Sequence, residues 1–203
     1  MQATTEQQLH LGCFDSPVDG WFNTDITLHI WVSRIPLAAR ALRMAGKITP
    51  ARFEQHRRGV FQKVHYLNVS KKFPYADNSF GAVFTCHMLE HLYPDVAMRC
   101  VKECLRVLRP GGLLRVAVPD LDRMVTNYDA SAPDPFLNAF FQHGKGVSGK
   151  DSHHWHYNFR SLRELLLKAG YSRVERREFG VGDCPDVEKI DRRPESLFAE
   201  AYK

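Results

Sequence analysis

The sequence lacks any long apolar run. None of its 203 residues lies in a stretch of about 18 consecutive apolar residues, which is the length that a helix needs to cross a bilayer. The first eight residues, MQATTEQQ, also lack the basic and then apolar regions of a secretory signal peptide. Without a transmembrane segment or a leader, we expect a cytoplasmic protein.

Cysteine is scarce and irregularly spaced. The five cysteines are an odd number, and no pair forms a Cys-x-x-Cys motif. This usage is typical of a reducing compartment and argues against a disulfide framework. Cys100 and Cys104 are four residues apart on the apolar face of a predicted helix, so we expect them to be buried thiols rather than metal ligands.

Acidic residues are almost absent from the basic segment, which we define as residues 27–63. Glu54 is its only acid, so the segment carries +7 and leaves −2 for the rest of a chain whose net charge is +5. Two helices are predicted here, one starting near Ser33 and stopping at Gly46, the other capped by Thr49. Its arginines, among them Arg57 and Arg58, either are solvated on a helical cover of the sheet or bind an anionic acceptor, such as a phosphorylated sugar, a nucleotide-linked sugar or a membrane headgroup.

The stretch from Ser79 to Leu121 is the most informative part of the chain. Ala82 to Cys86 is a compact apolar run that suits a buried strand, and an amphipathic helix is predicted from Asp95 onward. Pro110-Gly111-Gly112 is predicted to end that helix, and Leu113 to Val118 to form the next buried strand. Strand, helix and strand in this order indicate the βαβ unit of a parallel sheet.

This stretch resembles the second half of the class I S-adenosylmethionine-dependent methyltransferases. The resemblance rests on Asn78-Ser79-Phe80, on Met88-Leu89-Glu90-His91-Leu92 and on Leu105-Arg106-Val107-Leu108-Arg109-Pro110-Gly111-Gly112. It implies an α/β fold, a Rossmann-like doubly wound and mostly parallel sheet, with an antiparallel C-terminal edge hairpin formed by residues 171–179 and 195–202. We expect one domain over residues 1–203, with the basic segment as a helical insertion.

The N-terminal Leu-Gly-Cys, Gly-Trp and Asp25 pattern resembles small bacterial methyltransferases that are associated with surface-polysaccharide loci. The resemblance implies that the first crossover is shortened to a loop, and that Asp25 holds the ribose of S-adenosylmethionine at the end of a strand over residues 21–26. The alternative from the residues alone is an antiparallel hairpin over residues 9–26 that leaves Asp25 solvated.

The ends of the first four predicted strands are expected to meet at one crevice, where a doubly wound sheet binds its ligand. The third of these strands is predicted over Val64 to Val69. The cofactor-binding candidates are Gly12, Cys13, Phe14, Asp25, Asn68, Val69, Cys86 and His87.

Three of the family's usual residues are replaced: Phe14 stands for a glycine, Asn68 for an acid and Gly81 for an aspartate. A binding module that has kept the fold and lost the chemistry is therefore a rival. An NAD enzyme is disfavoured because no Gly-x-Gly-x-x-Gly motif occurs. Methylation of nucleic acid is favoured by the basic segment but disfavoured because no Asn/Asp-Pro-Pro-aromatic motif follows the fourth strand.

A lid or acceptor loop is predicted over residues 129–160, because a long excursion broken by proline and glycine is usually functional. Its aromatic residues and histidines are expected to line a pocket for a hydroxyl-bearing small molecule or glycan precursor. His154 or His87 is the candidate general base, since an imidazole exchanges protons near neutral pH. The terminal helix is predicted over Ser161 to Ala169, with Ser161 as its N-cap.

No metal site is predicted. His153, His154 and His156 are neighbours on an extended chain and point in opposite directions, and no carboxylate cluster is obvious beside them. For His87, Glu90 and His91 the alternative is a structural role beside the following short helix, although similar positions in some quinone-pathway methyltransferases help to bind a divalent cation.

Overall fold

A computed structural model describes residues 7–142 and 152–203. Seven strands form one sheet: β1 (Gln8–Leu11), β2 (Trp21–Asp25), β3 (Val64–Tyr66), β4 (Phe80–Cys86), β5 (Leu108–Val118), β6 (Arg173–Arg177) and β7 (Leu197–Tyr202). Their order is β3-β2-β1-β4-β5-β7-β6. The first five strands are parallel, whereas β7 is antiparallel to both β5 and β6. This arrangement confirms the predicted doubly wound sheet and its C-terminal edge hairpin.

Eight helices accompany the described sheet: α1 (His29–Val32), α2 (Ala38–Met44), α3 (Pro50–Arg57), α4 (Pro94–Val107), α5 (Leu121–Thr126), α6 (Asp134–Phe141), α7 (Phe159–Ala169) and α8 (Val187–Ile190). Single 3₁₀ turns occupy Val60–Lys63 and Leu89–His91. No helix in the described ranges has the length and apolar character that a membrane crossing requires.

The first crossover is a loop, and the hairpin alternative for residues 9–26 is wrong. β1 and β2 run parallel, with Leu9 opposite Phe22 and Leu11 opposite Thr24. Beyond β1 the chain turns at Gly12, whose φ is +66°, and the N–H of Cys13 donates to the carbonyl of Thr24 at 3.1 Å. The ends of β1 and β2 therefore lie side by side.

Helix α4 packs on the sheet through the face that the sequence indicates. Ala97, Cys100, Val101, Cys104 and Val107 are buried, and all five cysteines of the chain are free thiols. The predicted burial of Cys100 and Cys104 is confirmed.

The Pro110-Gly111-Gly112 run is predicted to end α4, but in the structure it lies within β5. The helix stops at Val107, and Leu108 is already extended. Gly112 permits this path because a Cβ there would lie 2.7 Å from the carbonyl oxygen of Gly81. The run thus allows a close approach of two backbones where the pairing of β4 and β5 is irregular.

Two helix limits differ from the sequence-based expectation. Helix α7 begins at Phe159 and is capped by Asn158, whose Oδ1 accepts the N–H of Ser161 at 2.9 Å. In return, the N–H of Asn158 donates to Oγ of Ser161. An asparagine offers the same capping oxygen as a serine. Ser33 ends α1 instead of starting a helix, whereas the predicted Thr49 cap is confirmed by its bond from the N–H of Arg52.

The predicted lid contains a helix. α6 lies inside residues 129–160, and an isolated parallel bridge joins Asp120 to Tyr157. His143 and the three glycines at 144, 146 and 149 lie outside the described residues.

Candidate active site

Asp25 lies at the carboxyl end of β2 and holds the loop that follows β1. Its Oδ2 accepts the N–H of Phe14 at 3.0 Å, and its Oδ1 accepts the N–H of Thr27 at 2.7 Å. Burial raises the pKa of Asp25 above its ordinary value, and these two N–H groups offset only part of that effect. The carboxylate therefore lies at the end of β2, bonded to the loop that carries Phe14.

Phe14 has a positive φ of +46°. The ring is 42% exposed, and the guanidinium carbon of Arg52 lies 4.5 Å from its centre. Arg52 is held in turn by an ion pair with Asp15 at 3.1 Å. This cation–π contact draws the aromatic ring toward α3, so the ring does not fill the turn.

Gly12 is confined by the segment that follows β4. A Cβ at this position would lie 2.7 Å from Cγ of Met88, so the absence of a side chain makes room for that methionine. The neighbouring Cys13 is buried, and burial raises the pKa of its thiol to about 12. Cys13 is therefore an uncharged, packed part of the loop wall.

The third strand is shorter than predicted. β3 ends at Tyr66, and Asn68 and Val69 lie in the turn beyond it. The Asn68 side chain forms this turn, because its Oδ1 accepts both the N–H and the hydroxyl of Ser70 at 3.0 and 2.7 Å. The amide oxygen of Asn68, a cofactor-binding candidate, is thus bonded within the chain.

His87 follows Cys86 at the carboxyl end of β4 and has a positive φ of +52°. Its Nε2 lies 2.8 Å from the hydroxyl oxygen of Ser196, and its Nδ1 lies 3.0 Å from Oε1 of Glu90. The distance between His87 and Glu90 is short enough for an ion pair, but the two side chains form no hydrogen bond. The imidazole of His87 therefore lies between the carboxylate of Glu90 and the hydroxyl of Ser196.

Glu90 is fully buried, and neither of its carboxylate oxygens has a hydrogen-bond donor among the described residues. The ring of His153 approaches it to 4.0 Å, and burial lowers the pKa of His153 to about 4. Ligand atoms of Glu90, His91 and His153 all lie within 4.8 Å of one another and could hold a metal ion. The absence of a metal site stays a prediction.

A cavity of about 360 Å³ opens beside His87. Its walls come from the ends of β4 and β5, from α5 and α6, and from the segment before β7. They are formed by His87, Pro119, Asp120, Arg123, Met124, Asn127, Asn138, Ala139, Gln142, His153, Arg193, Glu195 and Ser196. Most of these side chains are charged or carry amides, so the cavity presents many hydrogen-bonding groups, although apolar atoms form the larger part of its wall.

The aromatic residues of the lid are expected to line the acceptor pocket, but they are not among the side chains that line the cavity. Phe136 meets Tyr128, and Phe140 meets His156, so these rings pack together while Asn138 and Gln142 face the cavity. His154 stacks on Tyr93, with 4.3 Å between ring centres, and is not among the side chains that line the cavity.

The segment before β7 supplies site residues that the sequence does not signal. Residues 195–202 read as a final strand, yet Ser196 precedes β7 and reaches His87. Two anchors hold this segment: Arg192 donates to the carbonyl of Ser16 at 2.8 Å, and buried Asp191 pairs with Arg115. Both anchors join residues that are far apart in the sequence.

Comparisons with known proteins agree with this geometry. Residues 37–116 match the family described as a methyltransferase domain, and no curated protein matches the chain.

Three solved S-adenosylmethionine-dependent methyltransferases share the fold. A structure from Thermotoga maritima has a TM-score of 0.53 and 18% identity, covering 98% of this chain and 82% of that one. Another, from Methanosarcina mazei, has a TM-score of 0.54 and 17% identity, with 98% and 92% covered. One from Mesorhizobium loti has a TM-score of 0.53 and 20% identity, with 98% and 91% covered. The matched segment is less than half of the chain, and the three structures show that the chain has the fold of S-adenosylmethionine-dependent methyltransferases.

Proposed function

We propose that this protein transfers a methyl group from S-adenosylmethionine to a hydroxyl of a small molecule or glycan precursor, with His87 as the general base. The observation that carries the proposal is the 2.8 Å contact between Nε2 of His87 and the hydroxyl of Ser196 at the cavity wall. A base that already contacts one hydroxyl can contact an acceptor hydroxyl in the same cavity.

The chain's own residues account for the proton. Bound S-adenosylmethionine would supply a methyl group on a sulfonium for the acceptor oxygen and would leave as a neutral thioether. The acceptor proton passes to Nε2 of His87, and the buried carboxylate of Glu90 stabilises the resulting imidazolium from the Nδ1 side.

The cavity wall favours an acceptor with several polar groups. Asn127, Asn138 and Gln142 offer amides that both donate and accept hydrogen bonds, and Asp120 and Arg193 add a charge of each sign. Such a set suits the hydroxyls of a sugar, while the apolar atoms that form most of the cavity wall suit its carbon skeleton. It supports the glycan precursor of the surface-polysaccharide resemblance, and five free cysteines support action in the cytoplasm.

We assign cofactor binding to Gly12, Phe14 and Asp25. Asp25 lies at the end of β2, next to the end of β1, and its carboxylate is suited to the two ribose hydroxyls. Asn68, Val69 and Cys86 would border the same crevice. We keep residues 1–203 as one domain, with the lid over residues 129–160 closing the acceptor side.

Changing Asp25 to asparagine is expected to weaken S-adenosylmethionine binding about 10- to 100-fold, the range for a hydrogen bond to a charged group. Because the pKa of Asp25 is raised, affinity in the native protein should already begin to fall at a pH above the ordinary value of 3.8 as the carboxylate becomes protonated. Calorimetric titrations at neutral and acidic pH measure both effects. Asp19→Asn is the matched control, since Asp19 belongs to the same loop but its side chain is 85% exposed.

The proposed function is tested by calorimetry followed by an activity screen. We expect S-adenosylmethionine and its demethylated product to bind, and a panel of sugars, sugar nucleotides and phenols to include an acceptor that releases the demethylated product. Binding without turnover on any acceptor would favour the non-catalytic module. Turnover on nucleic acid alone would overturn the hydroxyl acceptor, and no binding would overturn the enzyme.

A further inference from the structure

One face of the molecule, at the start of the basic segment, is unusually apolar. We define the α1–α2 face as the exposed side chains of residues 26–47. Its apolar members are Ile26, Leu28, Trp31, Ile35, Leu37 and Met44, which are 48% to 81% exposed. A clustered set of large exposed apolar side chains marks a binding surface more often than chance exposure does.

Helix α2 has little support from the rest of the described chain. It spans Ala38–Met44, and none of its residues is buried. A helix of this length is not stable alone in water and normally depends on packing. Within the described residues, Leu37 and Met44 are left largely uncovered.

The charges of the basic segment divide into two groups. In its second half, Arg52 pairs with Asp15, Lys63 pairs with Asp19, and Arg57 and Arg58 both pair with Glu54. Residues 27–47 contain no acid, and within 7–142 and 152–203 their basic side chains form no ion pair with one. These side chains are Arg34, Arg40, Arg43 and Lys47.

The unneutralised charges and the exposed apolar side chains coincide. We propose that the α1–α2 face binds the surface of an anionic lipid membrane, with the apolar side chains entering the interface and the basic ones meeting lipid headgroups. A second copy of this face is a poorer occupant because its four cations would repel those of the first. Nucleic acid would meet the cations but leave Leu28, Leu37 and Met44 uncovered.

This placement fits the position of the proposed acceptor site. α1 begins shortly after Asp25, at the carboxyl end of β2, and the cavity opens at the carboxyl ends of β4 and β5. Both features thus lie toward the carboxyl ends of the parallel strands. Docking through the α1–α2 face would hold these strand ends near a lipid surface without adding a membrane-spanning segment.

Vesicle sedimentation tests the proposal independently of methyl transfer. The full chain is mixed with vesicles of phosphatidylcholine alone or with 30% phosphatidylserine, at low and high salt, where 30% is on the order of a strongly anionic leaflet. We expect binding only to the anionic vesicles and a loss of binding at high salt. The variant R40Q/R43Q/K47Q should bind at least about tenfold more weakly, since each basic residue near the surface contributes to attraction. L37S/M44S should also lose binding.

The matched control is R57Q/R58Q, which removes two basic side chains that pair with Glu54 and lie outside the α1–α2 face. It should bind like the native protein, and all variants should keep the native circular dichroism. Equal sedimentation of native protein and R40Q/R43Q/K47Q, or no binding to anionic vesicles, would overturn the proposal. A dimer in light scattering that L37S/M44S converts to a monomer would assign the face to a second copy instead.

Discussion

Replacing His87 with alanine is expected to lower kcat by about 100- to 10,000-fold, the range for loss of a positioned general base, while S-adenosylmethionine affinity changes little. The reason is geometric: His87 lines the cavity, and its Nε2 already lies within hydrogen-bond distance of a hydroxyl. Steady-state assays on the acceptor found by the screen, with calorimetry for the cofactor, separate the two quantities. Added imidazole should restore part of the lost turnover in H87A.

Two further variants make the role of His87 specific. Glu90→Gln keeps the shape of the buried side chain but removes its charge, so it should lower kcat by a smaller factor than H87A. His154→Ala tests the other candidate base, whose ring stacks on Tyr93. If H87A loses cofactor affinity but keeps kcat, or if H154A loses more turnover than H87A, His87 is not the base.

Replacing Arg115 with methionine is expected to destabilise the protein by about 3 to 5 kcal/mol, the typical result of breaking a buried ion pair. Arg115 is fully buried in β5 and bonds Asp191 and Glu200, with 3.0 Å to Oε1 of Glu200. It also donates to the carbonyls of Glu178 and Val181. Methionine would leave buried Asp191 without its cation and Glu200 with Arg177 alone. Urea unfolding followed by circular dichroism gives the free energy.

The effect should depend on pH. Burial by itself raises the pKa of Glu200, but N–H groups of Asp183 and Cys184, with Tyr202 and Arg115, lower it below the ordinary value of 4.5. A lowered carboxyl pKa stabilises the fold above 4.5, and this contribution is lost as the pH falls through the lowered value. The deficit of R115M should therefore be largest at neutral pH and shrink in acid.

The triple variant R115M/D191N/E200Q separates charge from packing, because it removes the uncompensated carboxylates and should recover part of the lost stability. Arg160→Ala is the exposed comparison: its pair with Glu164 lies in water and should change stability by no more than about 1 kcal/mol. Equal losses for R115M and the triple variant would show that packing, rather than charge, explains the effect.

Local patterns predicted the scaffold well. The apolar runs of β1, β4 and β5 and the amphipathic period of α4 are properties of neighbouring residues, so they can be read without knowing what lies across the sheet. The limits were less predictable. Pro110-Gly111-Gly112 has the composition of a helix end, but the burial of Leu108 and the close approach of Gly81 extended the strand through it. Asn158 took the capping role assigned to Ser161 because the two residues offer equivalent oxygens.

In the candidate site, too, local features could be predicted from the sequence and long-range contacts could not. By itself, the sequence determined the βαβ order and the strand ends that carry Asp25 and His87, since these depend on period, spacing and turn residues. The shortened first crossover followed from the family resemblance, because the residues alone also allowed a hairpin. Only the tertiary structure decided that Phe14 turns toward Arg52, that Met88 occupies the space beside Gly12, and that Ser196 and His153 reach His87 and Glu90. Those contacts join residues that no local pattern relates, because they are fixed by which segments pack together and by where buried charges find their partners.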